Sequence, residues 1–260
     1  MLEIVERGRE TAAQPVPLLF VHGALHGAWC WDEHFLGYFA EHGYHALALN
    51  LRGHGASPTS VPLRSVSLAD YIDDVRVAAA GLPVAPVLIG HSLGGFLVQK
   101  YLETDDASGA VLFASTPPTG GRGLALRGAR RHPWLNLKSS VTGKLLPMFG
   151  TTAAAREWFF SADMPESLVT RYAGQLQEES FRASMQAVLG SAHPDRVRAP
   201  MLVLGAANDN MFSVKETRAT ARAYRTEAIF VPNIAHSMML EAGWQNAADH
   251  ILNWLGGLQL

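Results

Sequence analysis

Short runs of apolar residues recur along this chain, and segments with helical spacing separate them. A continuously apolar run of about 4–8 residues is typical of a strand buried on both faces, and such strands belong to parallel sheets. The alternation therefore predicts an α/β fold with a mostly parallel central sheet flanked by helices. The predicted strands are residues 18–21, 44–49, 85–89, 109–114, 201–205 and 228–231.

Helical segments separate or follow these strands. Ser67 precedes one of them, and serine is a residue type that accepts a hydrogen bond from the first free amides of a helix. Because α/β folds commonly reach this length as one unit, we predict that residues 1–260 form a single domain. The predicted helices are residues 31–41, 68–76, 96–102, 214–224 and 242–255.

One long stretch, from about residue 117 to about residue 190, lacks this alternation; we name residues 117–190 the cap segment. It opens with a turn-rich sequence and continues with helical segments rich in large apolar side chains. Because a plain loop of this length is uncommon, we predict a helical cap over one end of the sheet. Most of its apolar side chains are expected to pack on the body. The candidates for lining a substrate pocket are Trp134, Met148, Phe149, Trp158 and Phe159.

The predicted strand at residues 85–89 leads into a glycine-rich turn that carries a serine. Residues 90–95 read Gly-His-Ser-Leu-Gly-Gly, and an apolar helix is predicted directly after them. Gly90 and Gly94 leave room for a sharp strand-to-helix bend that exposes a serine hydroxyl. Ser92 is therefore the candidate nucleophile for attack on a carbonyl carbon. The alternative is a glycine-rich loop with an unused serine.

A histidine and an aspartate follow the last two predicted strands. A serine nucleophile needs a base that takes its proton near neutral pH, and His236 lies directly after the last strand. Asp209 follows the strand before it, where a carboxylate would orient that imidazole and stabilise the imidazolium. The rival acid Asp195 precedes its strand and would lie at the opposite end. Sites in such sheets gather at the carboxyl ends of strands, so we predict a catalytic triad of Ser92, Asp209 and His236.

A second glycine-containing turn follows the first predicted strand. Residues 22–27 read His-Gly-Ala-Leu-His-Gly, and Gly23 lets the backbone bend so that an amide can face a reacting carbonyl. Backbone amides in such a position stabilise the negative oxygen of a tetrahedral intermediate. We predict that the oxyanion hole consists of the backbone N–H groups of Ala24 and Leu93, the residue after the nucleophile.

The chain resembles the α/β-hydrolase fold superfamily in the identity and order of these motifs. The matching pieces are His22 and Gly23 after the third expected strand, Arg-Gly-His-Gly at 52–55 after the fourth, the 90–95 turn, Asp209 and His236. The resemblance implies that the cap segment is inserted between the sixth and seventh expected strands. One departure is Asn50, where the family often has aspartate. That position is usually structural, so the implied triad is unaffected.

The resemblance also bears on the chemistry. Residues 22–31 are similar to the plant methylesterase and hydroxynitrile lyase branch, but the lyases carry a lysine right after the catalytic histidine, where this chain has Ser237. Haloalkane dehalogenases use an aspartate nucleophile, where this chain has Ser92. Carbon–carbon bond hydrolases usually have a Gly-Pro-Gly type of oxyanion loop. Residues 22–27 do not match it, although that activity stays open.

Composition limits the classes of binding partner and the cellular compartment that we expect for this chain. The net charge of −2 and the pI near 6.6 give no reason to expect a nucleic-acid partner. No apolar run approaches the roughly 20 residues of a transmembrane segment. The first residues do not resemble a signal peptide, so a cytoplasmic protein is expected.

The single cysteine, Cys30, excludes an intramolecular disulfide and is expected to be buried. Since no metal-ligand spacing, phosphate loop or dinucleotide fingerprint is visible, neither a metal nor a cofactor is predicted.

Residues 120–145 of the cap segment carry basic side chains and no Asp or Glu. A solvated helix face is the simpler interpretation of this charge. The alternatives are attraction of an anionic or amphiphilic substrate, or of a membrane surface.

Together the motifs predict a cofactor-independent serine hydrolase that cleaves carboxylic esters through an acyl-enzyme on Ser92. The apolar content of the cap segment predicts a small-molecule ester with an apolar or aromatic acyl or alcohol part. Within enzymes, the alternative is hydrolysis of a lactone, an amide or a carbon–carbon bond by the same triad. From another class, the alternative is a non-hydrolytic ligand-binding protein built on the same fold.

Overall fold

The computed structural model describes residues 1–258, whose strands form one seven-stranded sheet in the order β1-β3-β2-β4-β5-β6-β7. The strands are β1 (Ile4–Arg7), β2 (Leu18–Val21), β3 (Ala46–Leu49), β4 (Val87–His91), β5 (Gly109–Phe113), β6 (Met201–Ala206) and β7 (Ala228–Val231). Strand β1 pairs antiparallel with β3, and the other pairings are parallel. The predicted mostly parallel sheet is confirmed, with β1 as an additional, largely exposed edge strand.

Helices cover both faces of this sheet. They are α1 (Trp29–Asp32), α2 (Phe35–Glu41), α3 (Leu68–Ala80), α4 (Leu93–Tyr101), α5 (Arg122–Arg131), α6 (Pro133–Thr142), α7 (Leu146–Phe149), α8 (Thr152–Phe159), α9 (Glu166–Ala173), α10 (Phe181–Leu189), α11 (Val214–Ala223) and α12 (Trp244–Gly256). The helix predicted over residues 31–41 is instead two helices, α1 and α2, because His34 between them leaves the helical region with φ −143° and ψ −49°. Within residues 1–258, every helix is too short or too polar to span a bilayer.

Strand β2 shows why the sheet needs helices on both sides. All four of its residues are buried, and successive side chains of a strand point to opposite faces. Phe20 packs in the cluster that contains Trp31 and Ile251, next to α1 and α12. Its neighbour Val21 packs in a second cluster, with residues of α3 and α4. The continuous apolar run seen in the sequence thus supplies two cores at once.

The parallel register brings the functional loops to one edge. Val21 pairs with Gly90, His91 with Phe113, and Phe113 with Leu204. The loops that follow β2, β4, β5, β6 and β7 therefore leave the sheet at the same, carboxyl edge. This edge is where the candidate site lies.

Helices α5 to α10 lie between β5 and β6, within the cap segment. The insertion lies between the strands at residues 109–113 and 201–206, the two strands between which it was expected. These are the fifth and sixth strands of the structure rather than the sixth and seventh, because one strand rather than two precedes residues 18–21 within residues 1–258. Backbone hydrogen bonds connect the cap segment to the loops at the carboxyl edge of the sheet. The Gln177 amide donates to Leu25 O at 2.8 Å, and the Ser237 amide donates to Phe159 O at 2.9 Å.

Candidate active site

Ser92 lies in the bend between β4 and α4, with φ 52° and ψ −116°. A non-glycine residue seldom adopts a positive φ, so the surrounding structure must hold this backbone in place. Two glycines make the bend possible. A Cβ on Gly90 would lie 2.6 Å from Gly94 O, and a Cβ on Gly94 would lie 2.4 Å from Val21 O. The predicted strand, turn and helix around Ser92 are all present.

The bend is held by the sheet and by its own helix. The Ser92 amide donates to Phe113 O of β5 at 3.2 Å. Ser92 O accepts from the amides of Phe96 and Thr116, at 3.3 and 3.1 Å. Because these partners all lie outside the cap segment, the position of the serine is set by the body of the protein.

His236 and Asp209, which were predicted to form a pair, are in contact. His236 Nδ1 lies 3.0 Å from Asp209 Oδ2, and both side chains are almost fully buried. The other carboxylate oxygen, Asp209 Oδ1, accepts from the amides of Met211 and Phe212 at 2.7 and 3.0 Å. A carboxylate that is ionised can only accept, so Nδ1 carries the proton of a neutral ring and Nε2 is left as a base.

Ser92 and His236 line the same cavity. His236 Nε2 is buried and has no hydrogen-bond partner among the described residues. The structure shows no hydrogen bond between that nitrogen and Ser92 Oγ. Such bonds are often long without substrate and shorten in the reacting complex. An imidazole nitrogen with its lone pair free, in the cavity that holds the serine, is arranged to accept a proton there.

The loop that follows β2 carries the predicted oxyanion donor Ala24, which lines the cavity together with Leu93. Leu93 begins α4, so its amide has no partner within the helix and adds to the positive end of the helix dipole. His22 and His26 brace the loop, since His22 Nδ1 donates to Gly23 O and His26 Nδ1 donates to Ala24 O, each at 2.8 Å.

Three of the buried histidines at this edge, His22, His26 and His91, have pKa values shifted towards the neutral form. Burial lowers the pKa of His22 to about 3 and the pKa of His26 to about 4. Burial also lowers the pKa of His91, whose Nε2 lies 3.2 Å from His236 O. These rings therefore act as neutral hydrogen-bonding groups around the loops. Among residues 1–258, no group of three or more His, Cys, Asp or Glu side chains is arranged to hold a metal ion.

Glu241 supports the loop of His236 and was not found from the sequence. Its carboxylate accepts from Ser161 N and Ser161 Oγ, each at 2.5 Å, and from Ala235 N at 3.4 Å. Burial raises the pKa of Glu241, while the hydrogen bonds from Ser161 and Ala235 oppose that rise. An acidic residue between Leu240 and Ala242 gives no local signal of this role, because its main partner is 80 residues away.

The cavity in front of Ser92 has a volume of about 150 Å³ and mostly apolar walls. The cap segment contributes Leu124, Ala125, Leu145, Met148, Phe149, Trp158, Phe159, Ala187 and Val188. Four of the five predicted pocket candidates are among these residues.

Trp134, the fifth candidate, does not line the cavity, and this prediction was wrong. It is 80% exposed on the outer side of α6. Asn136 of the same helix does line the cavity. Two helical residues that are two positions apart point about 200° apart, so Trp134 faces away from the substrate side.

A model of the alpha/beta hydrolase family matches residues 18–249. The chain is 36% identical over 114 residues to a protein of Oryza sativa subsp. indica named probable esterase PIR7A. That match covers 42% of this chain and 42% of the relative, so the chain spans less than half of the length of this relative.

Two solved structures are similar over almost their whole length. A Mycobacterium tuberculosis protein named "Putative non-heme bromoperoxidase BpoC" has a TM-score of 0.79 at 18% identity, covering 100% of this chain and 97% of that chain. A thermophilic esterase from Thermogutta terrifontis has a TM-score of 0.70 at 19% identity, covering 100% and 94%. Likenesses at this identity concern the fold alone, and they confirm the predicted fold class.

Proposed function

The chain belongs to the alpha/beta hydrolase family, and from this premise we propose that it is a serine hydrolase that cleaves carboxylic esters. The observation that carries the proposal is the hydrogen-bonded pair of His236 and Asp209, whose imidazole lines the same cavity as Ser92, a serine with positive φ. A serine, a base and a group that orients the base are what nucleophilic acyl transfer requires.

Acylation uses the free nitrogen of His236. Ser92 Oγ attacks the ester carbonyl while His236 Nε2 takes the hydroxyl proton, and Asp209 stabilises the resulting imidazolium. The carbonyl oxygen becomes an oxyanion that accepts from the amides of Ala24 and Leu93. When the tetrahedral intermediate collapses, the bond to the alcohol breaks, and His236 gives the proton to the departing alkoxide.

Deacylation repeats these steps with water. His236 takes a proton from a water molecule, whose oxygen attacks the acyl carbon bound to Ser92. Collapse of the second intermediate releases the carboxylic acid, and the proton returns from His236 to Ser92 Oγ. Atoms balance, since one ester and one water give one acid and one alcohol.

The cavity favours an apolar ester. Its walls are mainly aliphatic and aromatic side chains, and Phe149, Trp158 and Phe159 lie on the cap side. Burying apolar substrate surface there contributes about 25 cal/mol per Å². We therefore propose a small-molecule ester whose acyl or alcohol part is apolar or aromatic. This inference agrees with the esterase name of the rice relative.

Ser92→Ala tests the proposal directly. With p-nitrophenyl butyrate, kcat should fall by about 10⁶-fold, because the variant has no nucleophile. Ser140→Ala, which changes an exposed serine of α6, serves as the matched control and should retain full activity. Turnover by Ser92→Ala at the wild-type rate would overturn the proposal.

A substrate panel separates esters from the other carbonyl bonds that the same triad can cleave. Purified protein is assayed with p-nitrophenyl esters, an aryl lactone and a p-nitroanilide of the same acyl group. The ester should have the highest kcat/KM, and a higher value for the lactone or the anilide would move the proposal to that bond. Failure of every substrate and of a fluorophosphonate label would favour a non-hydrolytic binding protein.

A further inference from the structure

Glu179 is a fully buried carboxylate of the cap segment that the proposed mechanism does not use. It lies between α9 and α10, and its two oxygens face different partners. Oε1 accepts from Tyr71 OH and from the Ser180 amide, each at 2.6 Å. Oε2 accepts from the Leu25 amide at 3.2 Å and lies 3.3 Å from His54 Nε2. A buried carboxylate without partners is very unfavourable, so these hydrogen bonds stabilise Glu179 in its position. The same hydrogen bonds fix the groups that donate to it.

Leu25 is the residue that Glu179 holds in the loop after β2, residues 22–27, which we name the oxyanion loop. It has a φ of 68°, in the left-handed region that non-glycine residues rarely adopt. Both of its backbone polar groups are fixed by the cap segment. The Leu25 amide donates to Glu179 Oε2, and Leu25 O accepts from the Gln177 amide at 2.8 Å. A strained conformation persists when its surroundings determine it in this way.

The peptide of Leu25 adjoins the proposed oxyanion donor. The Leu25 amide belongs to the peptide bond that directly follows Ala24. A fixed direction for this amide therefore restricts the ψ torsion of Ala24. The Ala24 amide can then be aimed at one point in the cavity. Oxyanion stabilisation depends on such a fixed direction, because the donor must meet the developing charge without reorganising.

Resting on the proposed function, we propose that Glu179 is a positioning residue that couples the cap segment to the oxyanion hole. Its carboxylate holds the Leu25 amide so that the neighbouring Ala24 amide faces the scissile carbonyl. Glu179 itself does not contact substrate, since it does not line the cavity.

The charge state of Glu179 suits this role. Burial alone raises its pKa, but the nearby His54 ring and the hydrogen bonds from Tyr71 and Ser180 outweigh burial and bring the pKa to about 2. An ionised carboxylate only accepts hydrogen bonds, and the groups facing it are donors. A glutamine in its place would turn an NH₂ group toward at least one of these donors.

Glu179→Gln is the first test. We expect kcat to fall about 10-fold to 100-fold, somewhat below the effect of deleting an oxyanion donor, with KM within about twofold. Affinity for a trifluoromethyl ketone, which forms an oxyanion on the serine, should fall by the same factor as kcat/KM. Binding of the neutral product alcohol, which forms no oxyanion, should be unchanged. A purely structural role would not move these readouts in this pattern.

Tyr71→Phe is the matched control. It removes a donor from the other oxygen of Glu179 and leaves the Leu25 contact in place. The control should lower Tm while kcat stays within about twofold of wild type. If Glu179→Gln behaves like this control, with a lower Tm and an unchanged kcat, the proposal is overturned.

A second variant covers the case in which Glu179→Gln does not fold. Glu179→Asp keeps the charge beside His54 but is one carbon–carbon bond shorter, so its oxygen withdraws from the Leu25 amide. Full kcat in this variant would overturn the proposal. Ser92→Ala separates the two failures: activity retained there ends the proposed function. Activity lost there but kept in both Glu179 variants ends this inference alone.

Discussion

The serine bend and the oxyanion loop share one edge of the sheet but are held in different ways. Each contains a non-glycine residue with positive φ, 52° at Ser92 and 68° at Leu25. The backbone of Ser92 bonds to β5, to α4 and to the turn after β5. The backbone of Leu25 bonds to Gln177 and Glu179 of the cap segment.

This difference divides the proposed machinery between two parts of the chain. The proposed nucleophile lies in the body, where neighbouring strands and glycine contacts leave its backbone little freedom. The proposed oxyanion donor Ala24 precedes a residue that is held by the cap segment, which also forms part of the cavity wall. We therefore expect that a change in the cap segment can alter catalysis without moving the serine.

Asp209→Asn should have the largest effect among the variants that leave Ser92 in place. An asparagine amide can donate to His236 Nδ1, which favours the wrong tautomer, so kcat should fall by about 10⁴-fold. Initial rates with p-nitrophenyl butyrate measure this loss. Asp195→Asn, an exposed acid in the turn before β6, should leave the rate unchanged. An equal loss in both variants would contradict the assigned pair.

Gly94→Ala should distort the serine bend itself. The added Cβ would lie 2.4 Å from Val21 O and His22 O, and these backbone atoms cannot move aside cheaply. We expect the free energy of unfolding to drop by about 1–3 kcal/mol, measured by urea titration. Gly37→Ala in α2 meets nothing within 4 Å and should raise stability by up to about 1 kcal/mol. A neutral Gly94→Ala would show that the body holds the bend only loosely.

The stabilisation from Glu179 should depend on pH in a defined direction. Its pKa falls from an ordinary value of 4.5 to about 2 in the folded protein. The ionised carboxylate therefore stabilises the fold above about pH 4.5, and this contribution disappears as the pH falls towards 2. The difference in unfolding free energy between wild type and Glu179→Gln should shrink between about pH 5 and pH 3. A difference that grows on acidification would contradict the assignment.

Trp134→Ala should have the smallest effect. The side chain is 80% exposed and lies outside the cavity, so stability should change by no more than about 0.5 kcal/mol. The values of kcat and KM for p-nitrophenyl butyrate should match those of the wild type. A marked rise in KM would show that the outer face of α6 contacts the ester after all.

Features with local causes were the ones that the sequence predicted. The strand, the glycines and the serine at residues 85–95 determine one another at short range, so their arrangement could be read from the pattern. Asp209 and His236 followed from their positions after strands, because a parallel sheet brings such ends together. The structure puts these two side chains in contact.

The features that were missed or misjudged leave no such pattern in the residues around them. Glu179 meets Leu25 across 154 residues, and nothing near it in the chain signals that contact. Strand β1 was not predicted, because its largely exposed residues do not form a continuous apolar run. Trp134 was predicted to line the pocket because it is a large aromatic residue. The residue type alone does not show which side of α6 faces the cavity.

Labelling of the intact protein with a fluorophosphonate, followed by peptide mass spectrometry, tests most directly whether Ser92 is the nucleophile. We expect one adduct per chain, on Ser92, and no adduct on Ser92→Ala. We expect Glu179→Gln to be labelled at the same residue, but more slowly. An adduct on another residue, or equal labelling of Ser92→Ala, would contradict the claim that Ser92 is the nucleophile.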